Sequence, residues 1–405
     1  MDRRRLVIWA VVIVLITSVV NYGVFFYAPV LFPNSLLARL LPSSVGRTGT
    51  ANYTDFNLVY QYIKRYYPDD VDDQKLVEGA TAGLVAAVGD PYSYYMDPTV
   101  YADFMEKAIT GKYTGIGVSI ELKDSYVTVM RAFKDSPAEK GGLRPGDRIV
   151  GVDGTTVIGA TLDAVRDMVR GDEGTAVTLT IMRPEVELPF DVTVTRAQIQ
   201  TPTVFSRFIE DGIAYIQIDS FDQTTDQEFV TQLQALRAEQ KIKGMILDLR
   251  YNPGGTLEDS VNVAEYFVPS GPIVVTVDKA GNRETSGDGH SDFDFPVVVL
   301  VNDYSASAAE VVTGAIQDAG TATIIGTKTF GKGSVQIPIE LSGGAALRLT
   351  IARWRTPKDR TIDKIGIQPD ISVERPRNET PSNMDAADNP SVKQALAVIH
   401  DKLGR

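Results

Sequence analysis

The spacing of hydrophobic and polar positions changes along the chain between residues 53 and 375, and each pattern predicts a different structure. From Tyr53 to about Ala108, apolar residues recur at helical spacing, which predicts a small helical unit. Residues 113–197 carry short β-type runs separated by glycine turns. From about Thr201, apolar strands alternate with amphipathic helices. This alternation predicts a layered α/β core with a ligand site at the carboxyl ends of its strands.

The α/β pattern predicts individual strands and helices of the core. The predicted strands are Ile213–Ile218, Met245–Leu249, Val297–Val301, Ala322–Ile325 and Leu347–Arg353. The predicted helices are Thr224–Glu239, Leu257–Phe267 and Ser307–Gln317. Residues 376–387 are polar and rich in Pro, Asn and Asp, which predicts a loose segment before a last helix at Ser391–Leu403.

A long apolar segment lies at the N-terminus. Arg3–Arg5 precede the stretch Leu6–Phe32, whose 27 residues exceed the roughly 20 that a helix needs to cross a bilayer. The arginines predict that the residues before the span stay in the cytoplasm and that the rest of the chain is exported. A cleaved signal peptide with Leu6–Val20 as its apolar region is the alternative. No clear Ala-x-Ala cleavage site follows, so an uncleaved anchor is favoured.

Composition narrows the chemistry that the chain can perform. The formal net charge of −12 argues against a nucleic-acid partner, because phosphate binding requires clustered Lys and Arg. The chain has no cysteine and two histidines, His290 and His400. Most routes to an activated nucleophile are therefore closed, and a Ser–Lys dyad is one of the few that remain. We predict no metal site and no cofactor.

Ser307 is a candidate nucleophile because it follows the predicted strand Val297–Val301 and begins a helix. A side chain there is held at the end of a rigid strand, near helix amides that stabilise negative charge. The alternative is that Ser305 or Ser307 only caps the helix, as serines at such positions commonly do. Ser305 is the expected cap, which leaves Ser307 inside the first turn.

Lys332 is a candidate general base. It lies between Gly331 and Gly333, and it must be neutral to accept a proton, so its pKa must fall from the reference of about 10.4. Burial lowers the pKa of a lysine by up to ~3–5 units. In a strand, Lys332, Ser334 and Gln336 would share one face, and Gln336 would then orient the lysine amine. The alternative is a solvated surface lysine.

The segment Asp248-Leu-Arg250-Tyr-Asn252-Pro-Gly-Gly255 follows the strand Met245–Leu249. Two glycines at a strand end allow backbone amides to approach a ligand closely, as in an oxyanion hole. A plain Pro-Gly turn is the alternative, and this segment alone does not decide between them.

Taken together, these segments resemble the carboxyl-terminal processing proteases, also called tail-specific serine proteases, over roughly residues 53–375. Residues 113–197 resemble a PDZ domain. The matching motifs, in family order, are Gly79-Ala80, Asp90-Pro-Tyr-Ser93, Tyr113-Thr-Gly-Ile-Gly117, Asp248-Leu-Arg250, Asn252-Pro-Gly-Gly255, Ser305-Ala-Ser-Ala-Ala-Glu310, Thr329-Phe-Gly-Lys-Gly333 and Gly366-Ile-Gln-Pro-Asp370. The chain departs from the commonest pattern at Ala309, where many members have a second serine, and at Tyr251.

The resemblance implies the roles of the site residues. It makes Ser307 the nucleophile, Lys332 the general base and Gln336 the orienting partner of the lysine. The backbone amides of Gly255 and Ala308 would form the oxyanion hole.

The resemblance also implies a site in the PDZ domain. There the amides of Ile116, Gly117 and Val118 would bind the terminal carboxylate of a substrate. Unstructured or C-terminal tails of proteins are therefore the expected partners. The membrane is a further expected partner, bound through the N-terminal helix. The sequence does not decide whether several copies of the chain form a homo-oligomer.

The predicted architecture is multidomain, with α+β and α/β parts. Its segments are a cytoplasmic N-terminus (1–5), a transmembrane signal anchor (6–32), a stalk (33–52), a helical domain (53–112), a PDZ domain built as a β-sandwich or barrel with helices (113–197), a layered α/β serine protease core with βαβ units (198–375) and a C-terminal segment with a terminal helix (376–405).

The predicted function is that of a single-pass, membrane-tethered serine endopeptidase that acts outside the cytoplasm and cuts protein substrates near their C-termini. Two alternatives remain. One is a tethered PDZ scaffold that binds peptides without catalysis, and the other is a Ser–His protease that uses His290.

Overall fold

The computed structural model describes residues 53–404, apart from residues 124, 134, 185 and 382. The chain divides into two compact units, which meet in sequence between Val77 and Glu78. The predicted cytoplasmic N-terminus, anchor and stalk lie outside the described residues. Among those that are described, none of the helices has both the length and the apolar character needed to span a bilayer.

The region before the PDZ-like segment is helical, as predicted. Helices α1 (Tyr53–Tyr66), α2 (Asp73–Ala86) and α3 (Pro98–Phe104) are followed by a π-helical turn, Met105–Ile109. Asp97 caps α3, because its side chain accepts a hydrogen bond from the Val100 amide at 2.9 Å. Between α2 and α3 a short strand, β1 (Tyr94–Met96), pairs with a strand of the protease-like core.

The next region forms a small β-domain. Its strands are β2 (Lys112–Gly115), β3 (Val118–Lys123), β4 (Tyr126–Ala132), β5 (Arg148–Val152), β6 (Thr155–Thr156), β7 (Ala176–Met182), β8 (Phe190–Thr195) and β9 (Ala197–Gln200), and its helices are α4 (Pro137–Lys140) and α5 (Leu162–Val169). Strands β3, β4, β5, β7 and β8 form one antiparallel sheet with β6 on β5. Alternate residues of β7, namely Val177, Leu179 and Ile181, are buried in its core. Strands β2 and β9 pair with each other, so the chain enters and leaves this domain side by side.

The α/β core is built on a second sheet. Its strands are β10 (Val204–Glu210), β11 (Ile213–Ile218), β12 (Gly244–Asp248), β15 (Val297–Val301), β16 (Ala322–Gly326) and β19 (Ile371–Ser372), in that spatial order. All pairs are parallel except that of β10 with β11. Every residue of β11, β12 and β15 is buried, which explains their continuous apolar runs.

Helices cover both faces of this sheet. They are α6 (Thr225–Glu239), α7 (Leu257–Glu265), α8 (Ala308–Ala319) and α9 (Pro390–Lys402). Helices α6, α7 and α8 pack on one face, against residues such as Ile216 and Val299. Helix α9 packs on the other face, against the alternate residues Tyr215 and Leu300. The predicted layered core is therefore confirmed.

A third sheet flanks this core. It contains β1, β13 (Val274–Asp278), β14 (Arg283–Ser286), β17 (Ser334–Glu340) and β18 (Ala346–Arg355). The long strand β18 pairs with β1, β13 and β17, all antiparallel. It thus joins the Asp90–Met96 region to the segment that carries Lys332.

The prediction that residues 376–387 are loose is wrong. The buried guanidinium of Arg250 donates hydrogen bonds to the Glu379 carboxylate at 3.1 Å and to the Met384 carbonyl oxygen at 2.7 Å. A buried guanidinium must satisfy its donors, and these partners fix the segment against the core. The polar composition reflects this network rather than solvent exposure.

Candidate active site

The candidate residues of the core meet at the carboxyl ends of β12 and β15, where the topology predicts a ligand site. A cavity of about 450 Å³ is lined by all five of them: Gly255, Ser307, Ala308, Lys332 and Gln336. The cavity volume falls within the range of roughly 300–1,000 Å³ that ligand pockets commonly have.

Ser307 occupies the N-cap position of α8, with φ of 53° and ψ of −114°. A positive φ is uncommon for a residue with a side chain, and such conformations gather at functional sites. The turn between β15 and α8 thus holds Ser307 at the cavity in a strained backbone conformation.

Ser305 does not cap α8, contrary to the prediction. Its buried hydroxyl donates to the Leu249 carbonyl oxygen at 2.8 Å and accepts from the Asn302 amide at 2.9 Å. These bonds fasten the turn after β15 to the end of β12. Because the helix begins at Ala308, the N-cap position falls to Ser307 itself.

Gly254 and Gly255 pass directly beside Ser307. Their φ values are 99° and 146°, which side chains disfavour. A Cβ atom on Gly254 would lie 2.7 Å from the Ser307 Cβ, and one on Gly255 would collide with the Phe221 carbonyl oxygen. Among the described residues, neither the Gly255 amide nor the Ala308 amide has a hydrogen-bond acceptor. Two backbone donors are therefore available next to the serine.

The Lys332 side chain is partly buried at the same cavity. Burial lowers the pKa of Lys332, and the nearby Arg348 charge lowers it further, whereas Asp90 and Glu310 act in the opposite direction. The ammonium nitrogen lies 4.6 Å from the centroid of the Tyr92 ring. In the part of the chain that the structure describes, no hydrogen bond joins Lys332 to the Ser307 hydroxyl.

Gln336 faces a different network from the one predicted. Its amide nitrogen donates to Ser334 at 2.8 Å and to Thr350 at 3.1 Å, and the Thr350 hydroxyl donates to Asp90 at 2.6 Å. Ser334 and Gln336 share a face of β17, as predicted, but Lys332 precedes the strand. The expected bond between Gln336 and Lys332 is absent from the described contacts.

Glu310 is the site residue that sequence reasoning missed. Its buried carboxylate accepts hydrogen bonds from the amides of Ser307 at 2.9 Å and Lys332 at 2.8 Å. It also accepts from the Gly331 amide at 2.7 Å and the Thr329 hydroxyl at 2.5 Å. Burial raises the pKa of Glu310, and these donors work against that increase. A glutamate three residues after an N-cap serine is the spacing of a capping box, which could have pointed to it.

The predicted carboxylate-binding residues form the turn between β2 and β3. The Ile116 and Gly117 carbonyl oxygens accept from Ala138 and Phe133 at 2.8 and 2.9 Å, which fixes the turn, and Gly117 has a φ of 76°. Burial raises the pKa of Tyr113, and the backbone N–H groups of Val118 and Gly117 act against this increase. The Gly117 and Val118 amides are therefore directed at the Tyr113 hydroxyl, and their binding of a substrate carboxylate stays a prediction.

His290 does not line the cavity that holds Ser307. Its imidazole is half exposed, 3.8 Å from the Glu265 carboxylate, and its ring contacts Tyr266 edge-on. The geometry therefore gives no support to a Ser–His arrangement. Within the described residues, no group of three or more His, Cys, Asp or Glu side chains is placed to hold a metal ion.

Comparison with protein families gives three matches along the chain. Residues 212–373 match peptidase family S41, residues 128–183 match the PDZ domain, and residues 42–100 match the N-terminal domain of the activating protease CtpB. The three matches follow the order of the helical, β and α/β regions described above.

Individual proteins match most of the chain. The carboxy-terminal processing protease CtpA of Bacillus subtilis is 36% identical over 90% of this chain and 77% of its own length. A carboxy-terminal-processing protease of Bartonella bacilliformis is 36% identical over 88% of this chain and 83% of its own. A crystal structure of an S41 protease from Bacteroides fragilis has a TM-score of 0.58 and 16% identity, covering 86% of this chain and 97% of that one, and so shares the fold.

Proposed function

Because the chain belongs to the carboxy-terminal processing proteases, serine-type peptidases of family S41, we propose that Ser307 and Lys332 form its catalytic dyad and that it cuts protein substrates near their C-termini. One observation carries the proposal: the Glu310 carboxylate binds the backbone amides of both residues at one cavity. The two chain segments, 25 residues apart in sequence, are thereby held as a unit.

The chemistry requires Lys332 to be neutral. The neutral amine accepts the Ser307 hydroxyl proton while the serine oxygen attacks the scissile carbonyl carbon. The charge that develops on the carbonyl oxygen is stabilised by the Gly255 and Ala308 amides, which have no other acceptor among the described residues. The lysine then returns the proton to the leaving amine, and a water activated by the same amine hydrolyses the acyl-enzyme.

The resting geometry must change before Lys332 can accept the serine proton. The Lys332 ammonium lies against the Tyr92 ring, which favours the charged form. We expect the lysine side chain to leave the Tyr92 ring and turn towards Ser307 when substrate binds. Catalytic hydrogen bonds often form only when substrate is bound. Gln336 would then give up its hydrogen bond to Ser334 and form one with the lysine amine.

The PDZ domain selects the substrate. A terminal carboxylate would replace the Tyr113 hydroxyl at the backbone N–H groups of Gly117 and Val118, and the adjacent edge of β3 can pair with an extended peptide. Binding of the tail away from the cavity contributes binding free energy in addition to that of the contacts around the scissile bond. We also propose that residues 6–32 tether the enzyme to the cell membrane with its catalytic part outside the cytoplasm.

Cleavage of an unstructured tail peptide tests the dyad. Lys332→Ala should abolish cleavage, because it removes the group proposed to take the serine proton, and Ser307→Ala should do the same. Lys328→Ala, which removes an exposed lysine nearby, is the matched control and should retain full activity. Retained cleavage in Lys332→Ala would exclude the dyad. Failure of a phosphonylating probe to label Ser307 would favour a non-catalytic scaffold.

A further inference from the structure

Tyr251 has a backbone conformation that suits another residue type. Its φ is 61°, in the left-handed region that asparagine and glycine adopt readily and tyrosine does not. It lies between the buried residues Arg250 and Asn252. A bulky residue in a strained position implies that its side chain has a role that compensates for the strain.

The side chain of Tyr251 contacts the C-terminal segment, defined here as residues 375–389 without residue 382. Its hydroxyl donates to the Glu379 carbonyl oxygen at 3.0 Å and accepts from the Arg375 guanidinium at 3.3 Å. Its ring stacks on Tyr304, with the ring centroids 5.2 Å apart. Tyr251 therefore bridges the C-terminal segment and the turn that leads to Ser307.

The preceding residue strengthens the same connection. Arg250 binds Asp248 through a buried ion pair and also donates to Glu379, Asn389 and the Met384 carbonyl oxygen. Asn389 in turn donates to the Glu379 carboxylate at 2.6 Å. These groups are buried and satisfied, so the C-terminal segment has one defined position at the end of β12.

The backbone around Tyr251 is bonded to both loops of the cavity. The Asn302 side-chain oxygen accepts from the Tyr251 and Tyr304 amides, each at 3.0 Å. The Asn252 carbonyl oxygen accepts from the Ala306 amide at 2.9 Å, and the Asn252 side chain accepts from the Gly254 amide at 2.8 Å. A shift of Tyr251 would therefore be transmitted to Gly255 and to Ser307.

We propose that Tyr251 is a positioning residue through which the C-terminal segment sets the distance between the Gly255 amide and Ser307. The inference rests on the proposed function, since it presumes that this amide receives the oxyanion. Amides that stabilise a charge present only in the transition state affect kcat more than KM. Loss of the Tyr251 contacts should therefore lower kcat and leave KM and the fold in place.

Peptide cleavage and thermal unfolding of the full chain test this role in Tyr251→Phe and Tyr251→Asn. The first variant removes only the hydroxyl, and the second removes the whole bridge while relieving the strained φ. We expect kcat to fall about 10-fold or more in Tyr251→Asn and by a smaller factor in Tyr251→Phe, with KM within about two-fold of wild type. The Tm of Tyr251→Asn should be no lower than that of Tyr251→Phe. Tyr60→Phe, which removes a hydroxyl bonded to Asp73, is the matched control.

The outcomes separate this inference from the proposed function. A kcat within about two-fold of wild type in both variants, or a loss of kcat that follows the loss of Tm, would overturn the positioning role alone. Absence of cleavage by the wild-type chain, or equal cleavage by Ser307→Ala, would overturn the proposed function and this inference with it.

Discussion

The protonation of Lys332 is decided by opposing contacts of single residues. Burial and Arg348 favour the neutral amine that a general base requires, while Asp90, Glu310 and the Tyr92 ring favour the ammonium. The net effect lowers the pKa of Lys332 below that of a free lysine. The site therefore gives the neutral amine a larger population at a given pH than it would have in water, without removing every group that stabilises the charge.

The pH dependence of cleavage should follow this balance. Since the neutral amine is the active form, kcat/KM should rise with pH and level off above the folded pKa of Lys332, at a pH lower than a free lysine would give. Tyr92→Leu removes the ring face and should move the rising limb to lower pH by about 0.5 to 1 unit. Tyr92→Phe keeps the ring and should leave the limb in place. If Tyr92→Leu leaves the rising limb of the pH profile in place, the assignment of Lys332 as the general base is contradicted.

At the scale of elements, the site depends on how helix α8 meets the segment before β17. Glu310, in the first turn of α8, accepts four hydrogen bonds, two of them from the amides of Gly331 and Lys332. The proposed catalytic residues, Ser307 and Lys332, are thus held relative to each other by contacts between the two elements. We therefore expect the carboxylate to act as a positioning group for the proposed dyad.

Glu310→Gln should show this dependence. One oxygen would be replaced by an NH₂ group that faces N–H donors, which leaves buried donors without acceptors. We expect kcat to fall by roughly 100-fold, from misplacement of the dyad, and the free energy of unfolding to fall by about 1–3 kcal/mol. Peptide cleavage and denaturant unfolding measure the two effects. Glu284→Gln, an exposed substitution on β14, should change neither, and an active Glu310→Gln would refute the positioning role.

For the whole molecule, the proposed function assigns different tasks to the PDZ domain and the core. The chain enters the PDZ domain through β2, after the helical region, and leaves it towards the core through β9, and these two strands pair. The turn proposed to bind the substrate carboxylate directly follows β2. The proposed tail binding and the proposed peptide cleavage therefore lie on separate parts of the chain, which short β-strands join.

The domain arrangement predicts a preference for free C-termini. A tail peptide that ends in an amide should have a KM about 10-fold higher than the same peptide with a free carboxylate, because charge-assisted hydrogen bonds to the turn are lost. The kcat should be unchanged, since the cavity chemistry is the same. Acetylation of the peptide N-terminus is the control and should not change KM. Equal KM values for acid and amide would exclude carboxylate recognition by Gly115–Val118.

The sequence by itself determined the order of the domains, the buried strands such as Val297–Val301, and the positions of Ser307 and Lys332 at element ends. These features follow from apolar periodicity and turn residues, which act over a few positions along the chain. Only the tertiary structure decided that Ser305 fastens two strand ends, that Glu310 joins the dyad segments and that Gln336 faces Thr350. The partner of a buried polar group depends on which distant segments of the chain meet. Arg250 and Glu379, for example, are 129 positions apart. Local sequence patterns do not encode such pairings.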